Sequence, residues 1–488
     1  MPTNPERFSR PLRGVLISLV AAGSSAQAAD FPGDATSAAP NGGGARAQTF
    51  TYGVDAGVGE TDNVNLSPTN RVSQTLAIAD VDFALREQAR LLDVAARGDF
   101  SYLDYLQGAY GSQLLGRFDG LGRVALIPDR LTWRVQDDFG QSALDPYTPT
   151  TPSNLEDVNF FSTGPDLALR LGGTSFVNMS ARYARAQYET SPFNSNRLLG
   201  NLAWGLQLSA VTSASLNADT ERVLFQNTTL NSDFDRTNVF ASYQLQGART
   251  TLTADLGASR VSETGTSTTG PFAKLEVARK ISSAAKLTVS AGRELTDAST
   301  SFSALQGGAT GVVGTAPAAQ TSQSYTDTFA TAGWQYERNR TTVALSGHWE
   351  KNVYDLAPAL DYTRSGGEFR VERKLTHALT AQVLGRLYKT DYQNASLGTP
   401  LPASPGVPSS PGNGVGSGSA DFTDGLVAAA IAWRPGRGLE VKLTCEHSSR
   451  FAAGFDAGYR ENRAYLTVGY RPRPAEPISN EPKDDPGA

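Results

Sequence analysis

From residue 50 to residue 471 the chain alternates apolar and polar positions with a period of two. Leu131, Trp133 and Val135 alternate with Thr132, Arg134 and Gln136. Val177, Met179, Ala181 and Tyr183 alternate with Phe176, Asn178, Ser180 and Arg182, and Leu439, Val441, Leu443 and Cys445 with Glu440, Lys442, Thr444 and Glu446. Successive side chains on a strand point to opposite faces, so each stretch is a strand with one apolar and one polar face. There are about twenty such stretches of roughly 9–15 residues. They start near 50, 75, 91, 113, 131, 159, 175, 197, 214, 236, 250, 270, 286, 325, 341, 362, 379, 420, 439 and 460. The segment Leu85 to Ala96 (LREQARLLDVAA) holds good helix formers but is read as two strands around a turn.

The connections between these stretches alternate in length. One set is short: 87–90, 127–130, 172–174, 210–213, 247–249, 281–285, 338–340, 374–378 and 434–438. The other is long and polar: 60–74, 106–112, 140–158, 188–196, 226–235, 263–269, 297–324, 354–361, 392–419 and 452–459. A soluble sandwich has no reason to keep every second connection short. A membrane barrel does, with short periplasmic turns and longer extracellular loops. About 9–11 tilted residues cross a bilayer, and a sheet placed there must close on itself to satisfy its backbone. The predicted fold is all-β: a transmembrane antiparallel up-and-down β-barrel of about 18–20 strands. Loops 297–324 and 392–419 are long enough to act as a gate or plug.

The polar face then becomes a wet lumen wall, where charges of both signs can be hydrated or paired. Its candidate residues are Arg117, Asp119, Arg123, Arg134, Asp138, Arg182, Asp219, Asp255, Lys274, Glu276, Glu350, Glu368, Arg370, Glu372, Lys442 and Glu446. Aromatic residues collect near strand ends: Tyr102, Tyr105, Phe139, Phe160, Phe161, Tyr188, Tyr325, Tyr354, Tyr362, Tyr392, Trp433 and Tyr470. They are expected to form the interfacial girdles of a barrel.

Composition narrows the class further. The mean hydropathy of −0.31 and the lack of a long apolar run beyond the first residues exclude a helical membrane protein. A net charge of −5 without a basic stripe argues against nucleic acid as a partner. The single cysteine, Cys445, excludes a disulfide framework and a cysteine zinc site. It alternates with Leu443 on the apolar face and reads as a small lipid-facing hydrophobe. Arg7, Arg10 and Arg13, the apolar stretch Gly14 to Gly23 and the small-x-small site Ala26-Gln27-Ala28 read as a secretory signal over 1–28. Residues 29–49 and 472–488 have linker and tail compositions.

Candidate chemistry is sparse. Ser346, His348 and Glu350 share a polar face, but alternate Cβ atoms on a strand are about 7 Å apart, poor for direct relay. His377 falls in a turn and His447 near a rim, and no cluster has metal-ligand spacing. Asp137 and Asp138 point to opposite faces and cannot flank one glycosidic bond. Gly57-Val-Gly59 lacks the helix a phosphate loop requires. The loop acids Asp62, Asp145, Glu156, Asp157, Asp233 and Asp235 read as solvated charge. No catalytic residue, metal or cofactor is expected, and the chain is not read as an enzyme.

Several stretches carry a resemblance. Gly57-Val-Gly-Glu-Thr-Asp-Asn-Val64, Gly116-Arg-Phe-Asp-Gly120, Val135-Gln-Asp-Asp-Phe-Gly-Gln141, Phe161-Ser-Thr-Gly-Pro-Asp-Leu167 and Ser290-Ala-Gly-Arg293 resemble the outer-membrane β-barrel (type-2 porin-like) family associated with exopolysaccharide biosynthesis and export. The resemblance spans 50–471. It implies a barrel in the bacterial outer membrane that assists exopolysaccharide or capsule export, with no catalytic residues to carry over. The partners it implies are outer-membrane lipid, the barrel-insertion machinery, a polysaccharide and a periplasmic export complex. The alternative is a non-conducting structural or interaction barrel that docks a partner or anchors glycan through its loops. In one departure, the strand Arg463 to Tyr470 ends on the aromatic residue expected of a terminal strand, yet residues 472–488 follow it.

Overall fold

The computed structural model describes residues 47–263, 265–307, 321–393, 420–436, 438–452 and 458–472. The expected signal 1–28, most of the linker 29–49, most of the tail 472–488, residues 308–320 of loop 297–324 and most of loop 392–419 lie outside the described residues. The strands are β1 (Ala47–Thr61), β2 (Gln74–Gln88), β3 (Leu92–Tyr105), β4 (Gln113–Ile127), β5 (Leu131–Ala143), β6 (Leu155–Leu171), β7 (Ser175–Tyr188), β8 (Ser195–Gln207), β9 (Thr212–Phe225) and β10 (Phe234–Gln246). They continue as β11 (Thr250–Glu263), β12 (Thr266–Lys280), β13 (Ala285–Asp297), β14 (Ser324–Arg338), β15 (Thr341–Tyr354), β16 (Tyr362–Lys374), β17 (Leu379–Tyr392), β18 (Phe422–Gly436), β19 (Leu439–Ala452) and β20 (Tyr459–Tyr470). One helix, α1 (Ala298–Gly307), follows β13.

Each strand pairs antiparallel with the next, and β1 pairs with β20 from Val54↔Tyr470 to Thr61↔Arg463, closing a 20-stranded barrel. The segment Leu85 to Ala96 is two strands, Leu85 pairing with Ala96 around a tight turn. In the turns Asp129 and Asn339 take φ of 60° and 56°. Aspartate and asparagine tolerate that left-handed region better than other side chains. One connection differs from expectation. The β11–β12 loop, read as 263–269, is a tight hairpin in which Glu263 pairs with Thr266 and Gly265 supplies a φ of 85°. The polar residues after Glu263 extend a strand rather than a loop.

The register fixes which face each residue takes. One rung runs Ala254↔Leu275↔Ala291↔Ala330↔Trp349, and another runs Val383↔Ala429↔Cys445↔Ala464. This apolar face is bare: Leu256 is 70% exposed, Leu387 58% and Val239 57%. Soluble monomers rarely expose apolar patches beyond a few hundred Å², so a skin wrapping the whole sheet is a lipid-facing surface. Near the short turns it carries Phe50, Trp133, Trp204, Tyr243, Trp334, Trp433 and Tyr470, which anchor the periplasmic interface.

The expected girdles need correction. Tyr102, Phe139, Phe161, Trp433 and Tyr470 do share the apolar outer face by register. Tyr105, Phe160, Tyr188, Tyr325, Tyr354, Tyr362 and Tyr392 have the opposite parity and are buried inside the extracellular mouth. They pack in separate clusters, with Tyr325 on Tyr354 at 4.7 Å and Tyr362 on Tyr392 at 5.8 Å. A strand-end aromatic lies at the right height for a girdle, but only odd-even parity decides which side of the wall it takes.

Candidate functional site

All the sequence-predicted wall residues lie on the face opposite the apolar skin. Arg117, Asp119 and Arg123 stand on β4, Arg134 and Asp138 on β5, Arg182 on β7, Asp219 on β9 and Asp255 on β11. Lys274 and Glu276 are on β12, Glu350 on β15, Glu368, Arg370 and Glu372 on β16, and Lys442 and Glu446 on β19. They form local pairs rather than rings of one sign. Arg117 and Arg97 share Asp119 at 3.2 and 3.3 Å, Arg182 meets Asp166 at 2.5 Å, and Lys274 meets Glu294 at 2.8 Å. On the periplasmic half these side chains meet solvent: Asp93 is 37% exposed, Arg97 38% and Arg370 43%.

At the extracellular half, two segments cross the bore. The first is α1. β13 stays paired with β14 to Asp297↔Ser324 but pairs with β12 only up to Arg293. Asp297 then caps the helix, accepting hydrogen bonds from the Ser299 N–H at 3.2 Å and the Thr300 hydroxyl at 2.6 Å. From there α1 reaches β4, β5 and β6 on the far wall. Ser303 donates to Asp138 at 2.6 Å, and the Ser299 and Tyr188 hydroxyls are 2.7 Å apart. Phe302 packs with Val158, Phe160, Val223, Phe225 and Leu295.

A buried charge lock holds the base of this strap. Both carboxylate oxygens of Asp297 accept from Arg197, at 3.0 and 2.6 Å. Arg197 also meets Glu221 at 3.0 Å, and Glu221 bonds Arg236. Arg236 in turn donates to the Leu295 carbonyl at 3.2 Å. The Arg197 side chain is wholly buried. Two guanidinium groups against two carboxylates leave the cluster neutral, which is the condition for burying such charge.

The second strap is the β5–β6 connection, 144–154. Asn154 ties it into a closed loop: its amide donates to the Asp145 carbonyl at 2.9 Å and the Thr148 hydroxyl at 3.0 Å, and accepts from the Asp145 N–H at 2.8 Å. Pro146, Pro149 and Pro152 limit the backbone freedom lost on ordering. One end rests near β4, where Gln113 donates to the Pro152 carbonyl at 3.1 Å. The tip reaches the opposite wall. The Tyr147 hydroxyl donates to the Ala359 carbonyl at 2.8 Å, and its ring meets Tyr392 edge-on at 4.7 Å. Burial raises the Asp145 carboxyl above its ordinary 3.8 and pushes the Tyr147 phenol well up.

The remaining candidates resolve simply. His348 does reach Glu350, its Nε2 lying 2.8 Å from Oε2, because the two side chains lean together across the strand spacing. The other Glu350 oxygen accepts from Tyr362 at 2.9 Å. Asp137 faces outward and accepts from Asn159 at 2.8 Å, while Asp138 faces α1. His447 sits on the outer face beside Asn462 at 2.8 Å, and His377 lies in the β16–β17 turn. The loop acids are not merely solvated. Asp62 accepts from the Asn462 backbone at 2.8 Å, Glu156 from Ser191 N–H at 2.8 Å, and Asp233 from Phe225 N–H at 2.8 Å. They end loops by binding backbone donors. Among the described residues no three His, Cys, Asp or Glu side chains converge as a metal site.

Arg197, Glu221, Arg236, Asp297, Ser303 and Tyr147 were not singled out from the sequence. Polar parity on β8, β9 and β10 marks the first three as inward, but nothing local says that a loop from β13 meets them.

No family model matches the chain, and no curated protein matches it. Solved structures similar to it include the FrpB iron transporter from Neisseria meningitidis (F5-1 variant), 10% identical, covering 87% of this chain and 82% of that one, with a TM-score of 0.42. The copper transporter OprC is 12% identical over 87% of this chain and 80% of its own, with a TM-score of 0.41. A mutant ferric enterobactin receptor (PfeA) from Pseudomonas aeruginosa is 10% identical over 86% and 80%, with a TM-score of 0.43. Closed, even-stranded and lipid-skinned, the chain is an outer-membrane β-barrel, located in the bacterial outer membrane.

Proposed function

We propose that this barrel is an outer-membrane channel, shut by two internal straps, that assists export of an exopolysaccharide. The observation that carries the reading is the bore itself: a wall of paired charges, amides and hydroxyls crossed by segments held mainly through side-chain bonds. Mixed-sign walls do not select strongly for one ion. They can exchange hydrogen bonds with a sliding, hydroxyl-rich chain without holding it, as conduction requires. The straps are removable in principle, since each is a connection rather than a wall strand. The sequence resemblance supplies the glycan and the periplasmic export complex as partners. The second reading, a structural or interaction barrel that docks a partner or anchors glycan, draws on the aromatic clusters buried at the extracellular mouth.

Planar-bilayer conductance separates the two. The wild-type chain is expected to give rare or small steps. A variant carrying Asp297→Asn and Tyr147→Ala, which loosens both straps, is expected to give frequent large ones. Silence in both would remove the channel reading and leave the docking barrel. If the loosened channel conducts, deletion of the gene should abolish surface polysaccharide in the producing bacterium. Unchanged polysaccharide would leave a channel for another solute.

A further inference from the structure

Near its extracellular edge the largely apolar outer skin carries a line of cations. Arg185, Arg222, Arg260, Lys351 and Lys389 each lie ten residues beyond the start of an ascending strand, β7, β9, β11, β15 and β17, and Arg293 lies eight beyond the start of β13. Every one has outward parity. Arg260 pairs with Thr237 and Thr269, next along their strands to Val239 and Pro271, and Lys351 follows the lipid-facing Trp349 by two. Six successive ascending strands, over about half of the circumference, thus carry an outward cation at a similar height near their extracellular ends. On the remaining arc the outward residues ten beyond the strand start or nearest to it are Val58 on β1, Tyr102 on β3, Gln141 on β5 and Ser449 on β19.

Hydroxyls fill the same rung. Thr328 pairs with both Arg293 and Lys351, Thr363 flanks Lys351, and Ser365 and Thr423 flank Lys389. Two of the cations have acids beside them: Arg222 has Asp235 at 3.8 Å and Lys389 has Asp391 at 2.6 Å. Arg185, Arg260, Arg293 and Lys351 make no ion pair among the described residues, and Arg185 Nε is buried without any hydrogen-bond partner.

Uncompensated cations at the margin of hydrocarbon are costly unless their long stems carry the charge into a polar layer. Phosphate is the natural counter-charge there, because a guanidinium offers it paired donors and neighbouring hydroxyls add more. We propose that this arc is a docking surface for lipid headgroups of the outer leaflet whose phosphate carries an uncompensated negative charge, centred on Arg260, Arg293 and Lys351. The apolar belt directly below the rung, with Leu256, Leu275 and Trp349 exposed, argues for a ligand that carries acyl chains beneath its phosphate, rather than for a free anion or a soluble protein.

Trp349 is a built-in reporter, because the other tryptophans, Trp133, Trp204, Trp334 and Trp433, belong to the periplasmic girdle. The full chain, with those four replaced by Phe, is reconstituted in phosphatidylcholine vesicles. Quenching of Trp349 is then compared between brominated phosphatidylglycerol and brominated phosphatidylcholine. The expected result is a preference of about threefold or more for the anionic lipid. It should fall to about unity in Arg260→Gln/Arg293→Gln/Lys351→Gln and persist in Arg293→Lys. Heat-modifiable migration on a gel shows that each variant is folded. If the triple variant does not fold, the three single Gln variants are read instead, each expected to lower the preference. Equal quenching by the two lipids, or a preference untouched by the substitutions, overturns the proposal.

Discussion

Asp297 meets three demands at once: it ends β13, caps α1 and neutralises Arg197. Removing it leaves a buried guanidinium short of a partner, a change that costs about 3–5 kcal/mol in comparable settings. That is why a single carboxylate is the place to loosen the first strap. The second strap has a titratable residue of its own. Burial holds the Asp145 carboxyl above its ordinary 3.8, opposed by hydrogen bonds from the Tyr147 N–H and Thr148 and by the Arg450 charge. A carboxyl raised in the docked strap favours docking while protonated. Its contribution is therefore full below pH 3.8 and fades as pH rises through the raised value. Open probability in a bilayer should rise with pH across that window, and Asp145→Asn, which cannot ionise, should flatten this part of the response. An unchanged pH profile in the variant would show that another group sets it.

At the scale of the element, the strands were legible in the sequence because a period of two is a local property. β3, β5, β7, β15, β17 and β19 begin at or within a residue of where alternation places them, and β6 and β12 begin earlier, at Leu155 and Thr266. Parity also held the information that the girdle expectation overlooked. Tyr102 and Tyr105 are three apart, so they cannot share a face of one strand. The straps were not legible. Tyr147 and Ser303 make their bonds with walls far away in sequence, and no pattern within the loop encodes that destination. The same holds at the closing seam. β20 pairs with β1 down only to Val54, and beyond that Arg471 bridges the gap, meeting Asp55 at 2.6 Å, Glu440 at 3.5 Å and also Asp82. Arg471→Ala would leave these acids facing one another, a loss of about 2 kcal/mol once partial solvent access is allowed for. Its folded band on a semi-native gel should unfold at a temperature lower by several degrees; an unchanged transition would mean that backbone pairing alone holds the seam.

For the molecule as a whole, the decisive arrangement is which face meets lipid. Cys445 tests it directly, since it lies on the outer face in the rung Ala429↔Cys445↔Ala464 and is exposed. In a reconstituted bilayer a membrane-partitioning maleimide should label it. A charged, water-soluble maleimide should label it only after denaturation. The reverse pattern would place the residue in the aqueous bore and turn the assignment of faces inside out.

The straps lie toward the extracellular end, while the charged wall below them is open to water. Among the described residues the barrel is thus a well that faces the periplasm. On the export reading proposed above, a flexible polymer entering from below would give up its conformational freedom first and meet the obstruction last. Affinity for the wall would then do little to open the passage. On that reading a push from behind would matter more, and the energy source for transit would sit on the periplasmic side, in whatever feeds the chain into the well.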